Sequence, residues 1–255
     1  AEAIWEAVTR RNMRFVAIKS EEQQAVLGLH RARSGLVKAR TAQANEIRGL
    51  LAEFGLVIPV GIRNVFCEVP LLIEAPQLPE RMRRLMQLLL EQLREVDKRA
   101  SELEAQIRQW HLQNLVSKRV EQIPGIGALT ASALVAAAGD ARNFTDGRQM
   151  ASWVGIVPRQ HSSGGKQQLL GISKRGDVYL RTLLIHGARS VVKVVARQVK
   201  PEGRNRWIAE LIKRRGKNVA AVALANKNVR IAWAMLARGT AYEANHDLHN
   251  IVAAQ

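Results

Sequence analysis

The stretch from Pro79 to Leu112, PERMRRLMQLLLEQLREVDKRASELEAQIRQWHL, decides the fold class. Met82, Leu85, Leu89, Leu93, Val96, Ala100, Leu103, Ile107 and Trp110 recur in it at heptad spacing, which sets apolar side chains on one narrow stripe of a helix. Charged residues fill the positions between them and solvate the remaining faces. Pro79 stands at the first helical position, where a missing N–H costs nothing. Upstream, Val26, Leu29, Leu36, Val37, Ala44, Ile47, Leu51 and Phe54 form a second seam that Gly55 closes. Between the two runs a connector carrying Pro59, Gly61, Pro70 and Pro76, in which no long helix persists. Two long helices with narrow seams must find partners. An antiparallel hairpin, a coiled coil with another subunit and an ordinary bundle all satisfy them.

After residue 120 the character changes to short alanine-rich helices, glycine turns and an excess of arginine and lysine. Ala131 to Ala138 reads as a small-residue helix ended by Gly139. Thr145 or Asp146 can cap the next helix, whose apolar side carries Met150, Trp153 and Val154. Helical spacing returns from Tyr179 to Val195 and from Val219 to Leu236, and nothing reads as a sustained alternating strand. The expected fold is mainly α: a long coiled-coil helical hairpin, then a compact helical domain with a helix-hairpin-helix-like turn.

With 255 residues and a formal net charge of +17, the chain repels itself unless counter-charge gathers around it, and nucleic acid is the commonest intracellular source. The single cysteine, Cys67, excludes an intramolecular disulfide and reads as a small buried hydrophobe. No apolar run is long enough to span a bilayer, so a soluble, cytoplasmic, nucleoid-associated protein with no membrane partner is expected. The opening Ala1-Glu2-Ala3-Ile4-Trp5 lacks a methionine and a signal-peptide pattern, which suggests that a portion upstream has been removed or was never present.

Two segments carry chemistry. In Ile123-Pro124-Gly125-Ile126-Gly127, a Gly-x-Gly turn opening a helix presents free amide N–H groups and the positive end of a helix dipole, so Gly125 and Gly127 can hold a phosphate. The alternative is a tight turn without a ligand. The second segment runs from Pro158 through Ser162-Ser163-Gly164-Gly165-Lys166 to Ser173-Lys174-Arg175-Gly176 and Arg189. Glycines beside adjacent serines admit a bulky ligand, and Arg159, Lys166, Lys174, Arg175, Arg181 and Arg189 can surround it with positive charge, as a phosphodiester requires. A serine hydroxyl attacks phosphorus only with a base or cations nearby, and such a loop is equally read as a flexible linker. His161 reads as a solvated or phosphate-contacting group and His186 as a packing residue. Trp207 stands among Arg204, Arg206, Lys213, Arg214, Arg215 and Lys217, where it can stack on a base or simply fill a core.

The ordered run from Phe144 through Trp153-Val154-Gly155-Ile156-Val157-Pro158-Arg159, Ser162 to Gly165, Ser173 to Gly176, Leu180-Arg181 and His186-Gly187-Ala188-Arg189 resembles the carboxy-terminal transposase domain of the insertion-sequence-110 family. The resemblance implies a DNA-cleaving and rejoining enzyme with Ser163 as nucleophile, Ser162 being the competitor one position away. It also implies a guide RNA partner beside DNA, and a homo-oligomer formed through the coiled helices. Residues 1–19 would then be a remnant following a RuvC-like domain, 20–118 the coiled-coil helices with their connector, and 119–255 the transposase domain. The family's metal-binding acids would lie upstream of Ala1. No metal ligand and no cofactor is therefore expected in this chain, while Mg2+ is expected in the full-length protein. The alternative is a non-catalytic fragment that binds nucleic acid and assembles subunits.

Overall fold

A computed structural model describes residues 2–10, 18–163 and 166–243 of the chain. Its contacts separate two compact units, residues 25–113 and residues 1–24 with 114–255. Helix α1 (Glu2–Thr9) precedes α2 (Glu21–Ala52), α3 (Ile62–Leu72) and α4 (Glu80–Gln113). The mainly helical class is what the periodicity dictates. None of the described helices is long and apolar enough to cross a membrane.

In the smaller unit α2 and α4 run antiparallel, as their cross-links show: Arg33 donates to Glu104 at 2.7 Å, Arg40 to Asp97, and Gln43 Nε2 to Gln92 at 2.9 Å. The stripe expected in α4 is buried at Leu93, Ala100 and Ile107, but near the start of the helix Met86 and Leu90 are buried and Leu85 is 37% exposed. Leu85, Met86, Leu88, Leu89 and Leu90 are all apolar and only Gln87 stands among them, so spacing alone assigns the stripe one residue off there. The connector also does more than connect. Leu56, Ile58, Val65, Val69, Ile73 and Leu78 pack with Ile47, Leu51 and Met86 into one core. Helix α3 supplies Val65 and Val69 to that core and accommodates Pro70 near its end. Cys67 falls on the opposite side of α3 and is exposed, not buried as its composition suggests.

Burial of His30 within α2, with the charge of Arg33 adding to it, pulls its imidazole pKa from 6.5 down to about 4. The unfolded chain then binds a proton near pH 6.5 that the folded chain refuses until about pH 4. Stability is complete above the unfolded value and is lost as pH falls through this window. The loss reaches about 3 kcal/mol. Urea titrations at pH 7 and pH 4 are expected to show that excess loss in the wild type and not in His30→Leu; equal losses would refute the assignment.

The larger unit comprises α5 (Leu115–Glu121), α6 (Ala128–Ala138), a single 3-10 turn at Ala141–Asn143, α7 (Gly147–Val154), β1 (Pro158–Ser163), β2 (Lys166–Ile172), α8 (Val178–Val195) and α9 (Gly203–Arg238). Asp146 caps α7 by accepting from Gln149 N at 2.7 Å. Every residue of α6 from Thr130 to Ala137 is buried, because alanines let neighbouring helices close around it. Helix α8 turns Leu180, Leu184, Ala188, Val192 and Val195 to the same core. Gly216 (φ 81, ψ 167) breaks α9 into two arms. They fold back on each other: Arg204 Nη2 donates to Asn228 Oδ1, and Lys227 Nζ lies 4.8 Å from the Trp207 ring centroid. Trp233 Nε1 ties the second arm to Ala141 O at 3.1 Å.

The two strands correct the expectation of a loop between Pro158 and Lys166. They form an antiparallel hairpin whose sequence, rich in serine and glutamine, carries no apolar alternation. The signal is absent because the hairpin's described side chains, residues 158–161 and 168–171, are exposed and leave no buried face to pattern.

Candidate functional site

The site begins where α7 ends. Gly155 adopts a left-handed conformation (φ 81, ψ 30) and its N–H bonds to Ala151 O at 3.1 Å, closing the helix. The chain then leaves the core as β1 and returns as β2. Ser173 N donates to Val157 O at 2.8 Å and Lys174 N to Gly155 O at 3.1 Å, tying the hairpin's base. Backbones there lie in direct contact: a Cβ on Gly155 would stand 1.7 Å from Arg175 O, and one on Gly176 (φ 104) would stand 2.0 Å from Trp153 O. Lys174 itself has φ 56, the sole positive value among described non-glycine residues. This strained, glycine-locked base is what aims the hairpin.

Beyond the base the arm stands clear of the core. Arg159, Gln160, His161 and Gln168 are exposed, and Leu169 is 65% exposed. A lone two-stranded hairpin is marginal in water, so the lock at its base carries its stability unless something packs on it. Ser163 is the last residue of β1 and pairs with Lys166, while Ser162 pairs with Gln167 and His161 with Gln168. The side chains of Ser162, Ser163 and Lys166, and the whole of Gly164 and Gly165, lie outside the described residues.

The expected cations divide into two groups. Arg159, Lys174, Arg175 and Arg189 are exposed and available to a polyanion. Arg181 is not: it is 9% exposed and its Nη1 donates to Val154 O at 3.1 Å, satisfying a carbonyl at the end of α7. Its place on the core face of α8, one residue after Leu180, forces this internal use. His186, expected to pack, is exposed on α8.

The Gly125 turn joins α5 to α6 and sits on α8. A Cβ on Gly187 would meet Gly125 O at 1.9 Å, and one on Gly125 would meet Gly187 O at 3.1 Å. Asn228 Nδ2 donates to Pro124 O at 3.0 Å from below. Close packing therefore accounts for Gly125 without a ligand. Gly127, by contrast, is exposed at the start of α6, with no side chain capping the helix. Among the described residues no three His, Cys, Asp or Glu side chains converge.

Sequence reasoning missed a groove of about 1010 Å3 between the hairpin's base and α9, lined by Ile156, Leu170, Trp207, Val222, Asn226 and Ile231 among others. Its signal was visible only in part, as Trp207 amid basic residues. Its other walls come from elements far apart in the chain.

Comparison with known proteins gives a consistent result. The model of the "Transposase IS116/IS110/IS902 family" matches residues 117–206, which contain the Gly125 turn, the hairpin and α8. A probable family 20 transposase of Pseudomonas aeruginosa is 51% identical over 245 residues, 95% of this chain and 72% of its own length. The transposase for insertion sequence element IS1111A of Coxiella burnetii is 47% identical over 95% of this chain and 66% of its own. The transposase for insertion sequence element IS1328 of Yersinia enterocolitica is 39% identical, at 95% and 72% coverage.

Proposed function

Because this chain belongs to the IS116/IS110/IS902 family of transposases, we propose that it cleaves and rejoins DNA through a serine on the β1–β2 arm, Ser163 before Ser162. The observation that carries this reading is the arm itself: an exposed hairpin on a rigid glycine-locked base, with a serine as the last residue of its first strand. A scaffold of that kind can reach into the groove of a large substrate. In the reaction, Ser163 Oγ forms a bond to phosphorus as one sugar–oxygen bond to phosphorus breaks. The serine proton passes to a base, and the departing sugar oxygen takes one up. Attack by a second strand's hydroxyl reverses these steps and frees the serine, so ester bonds are exchanged and no external energy is required.

Register favours Ser163 over Ser162, since directly opposite positions are neighbours and Lys166 stands across from position 163. Arg159, Lys174, Arg175 and Arg189 provide exposed positive charge for the phosphate backbone. Gly127 and the amides that open α6 provide a further phosphate contact, with Gly125 setting the turn's position against α8. The resemblance also implies Mg2+ in the complete enzyme. The described residues do not fit such a site, since no three ligand side chains converge among them. A guide RNA and self-association through the α2–α4 pair as a coiled coil belong to the same reading; the surplus of positive charge supports the first and the exposed Leu88 and Leu112 of α4 the second.

Two measurements test this. Affinity for duplex DNA should fall linearly with salt on logarithmic axes, with a slope set by the number of phosphates neutralised; a flat response would refute the phosphate contacts. A protein of the full length of the relatives, incubated with insertion-sequence ends and denatured, should retain DNA on a peptide spanning residues 162–163. DNA binding without any such adduct would mean a binding module.

A further inference from the structure

The groove beside the hairpin is unlike an ordinary surface cleft in its chemistry. Its walls are aliphatic, from Ile156, Val222 and Ile231, with the Trp207 indole at one side. The polar groups that interrupt them are amides and cations: Asn218, Asn226, Lys227 and Arg230. No carboxylate lines it. Asn226 Nδ2 donates to Ile156 O at 3.2 Å, which fixes that amide's orientation, and Lys227 over Trp207 holds the ring.

One end of the groove meets the Gly216 corner. Lys213, Arg214, Arg215 and Lys217 flank that glycine, all exposed, and Asn218 and Val219 pass directly from the corner into the groove wall. Glu210 is the only acid in α9 and is already paired with Arg206 at 3.3 Å. Apolar walls, an aromatic ring and two amides suit nucleobases, whose faces are apolar and whose edges need hydrogen bonds. A dense run of cations suits the phosphates that accompany them.

We propose that this groove receives the bases of an unpaired DNA strand while the Gly216 corner holds its phosphates. The inference rests on the reading of this chain as a DNA-handling transposase and adds a place for strand that must leave the duplex during exchange. Paired bases hide their faces in the stack, so the groove discriminates against duplex. Its aliphatic lining offers few partners for a ribose 2′-hydroxyl, which favours DNA over RNA. A second copy of this chain is a poor occupant of the groove because Lys227, Arg230 and the Lys213 to Lys217 corner would face a surface as rich in lysine and arginine as their own.

The test uses the full chain with fluorescein-labelled oligo(dT), oligo(rU) of the same length and a duplex, followed by anisotropy. Val219→Glu is the first variant: the side chain is 49% exposed, so the fold tolerates a carboxylate that the strand does not. Asn218→Asp, equal in size and also exposed, is the second. Each should weaken oligo(dT) binding about tenfold and change duplex affinity less than about twofold, because the variants alter the groove wall that only unpaired bases reach and leave every cation that holds phosphates in place. An oligonucleotide carrying 5-iodouracil should photocrosslink to Trp207 or to the second arm of α9. Equal losses for both DNA forms, no loss for either, oligo(rU) binding as tightly as oligo(dT), or crosslinks confined to other segments would overturn the groove assignment. So would a wild-type dimer in sedimentation that Val219→Glu dissociates, since the groove would then be an interface between copies. If the wild type bound neither single strand nor duplex, the DNA-handling reading itself would fall; duplex binding intact with oligo(dT) binding unaffected by both variants removes only the groove.

Discussion

Ser163→Ala, introduced into a protein of the full length of its relatives, should eliminate the covalent protein–DNA product and lower strand transfer by at least about 10^3-fold, as losing a nucleophile does in other covalent enzymes. DNA affinity should remain within about twofold, because the phosphate contacts come from separate cations. Ser162→Ala is the paired control. Its position lies across from Gln167 and not Lys166, so it should keep most of the adduct. The reverse result, adduct lost with Ser162→Ala and kept with Ser163→Ala, would move the nucleophile by one residue. Adduct in both single variants and in the double variant would remove the serine from the mechanism.

The second large effect concerns no reacting group. Gly155→Ala places a Cβ 1.7 Å from Arg175 O at a residue with φ 81, so the substitution meets a backbone clash and a disfavoured conformation together. Neither can relax by rotating a side chain. The expected cost is about 3 kcal/mol or more, read as a lowered midpoint in urea. Transfer activity should fall further than stability explains, because the same contact aims the hairpin. Gly171→Ala serves as the comparison: its Cβ would meet nothing within 4 Å, and its φ is unexceptional. A Gly155→Ala protein as stable as the wild type would show that the base of the hairpin is looser than its geometry indicates.

Much of the fold was legible because the signal was local. Apolar residues at three- and four-residue steps announced α2, heptad spacing announced α4, Thr145 or Asp146 the start of α7, and Gly139 the end of α6. The hairpin was not legible, since its described side chains are exposed and a strand pair of that kind needs no apolar alternation. Arg181 and Arg189 look alike in the sequence, yet α8 turns one into the core and the other to solvent. Glycines at 155, 176 and 187 read as turns or spacing, and their reason lies in backbone atoms of segments 20 to 60 residues away.

By itself the sequence determined that the chain is helical, strongly basic and patterned like a known family of DNA-rearranging enzymes, because periodicity, charge and motif order are properties of neighbours along a chain. Only the tertiary structure decided which cations face outward, that the serines end a strand and do not sit in a loose loop, and that a groove forms between the hairpin and a folded-back α9. Those outcomes depend on which distant backbones can approach within van der Waals contact, and no local pattern encodes that distance.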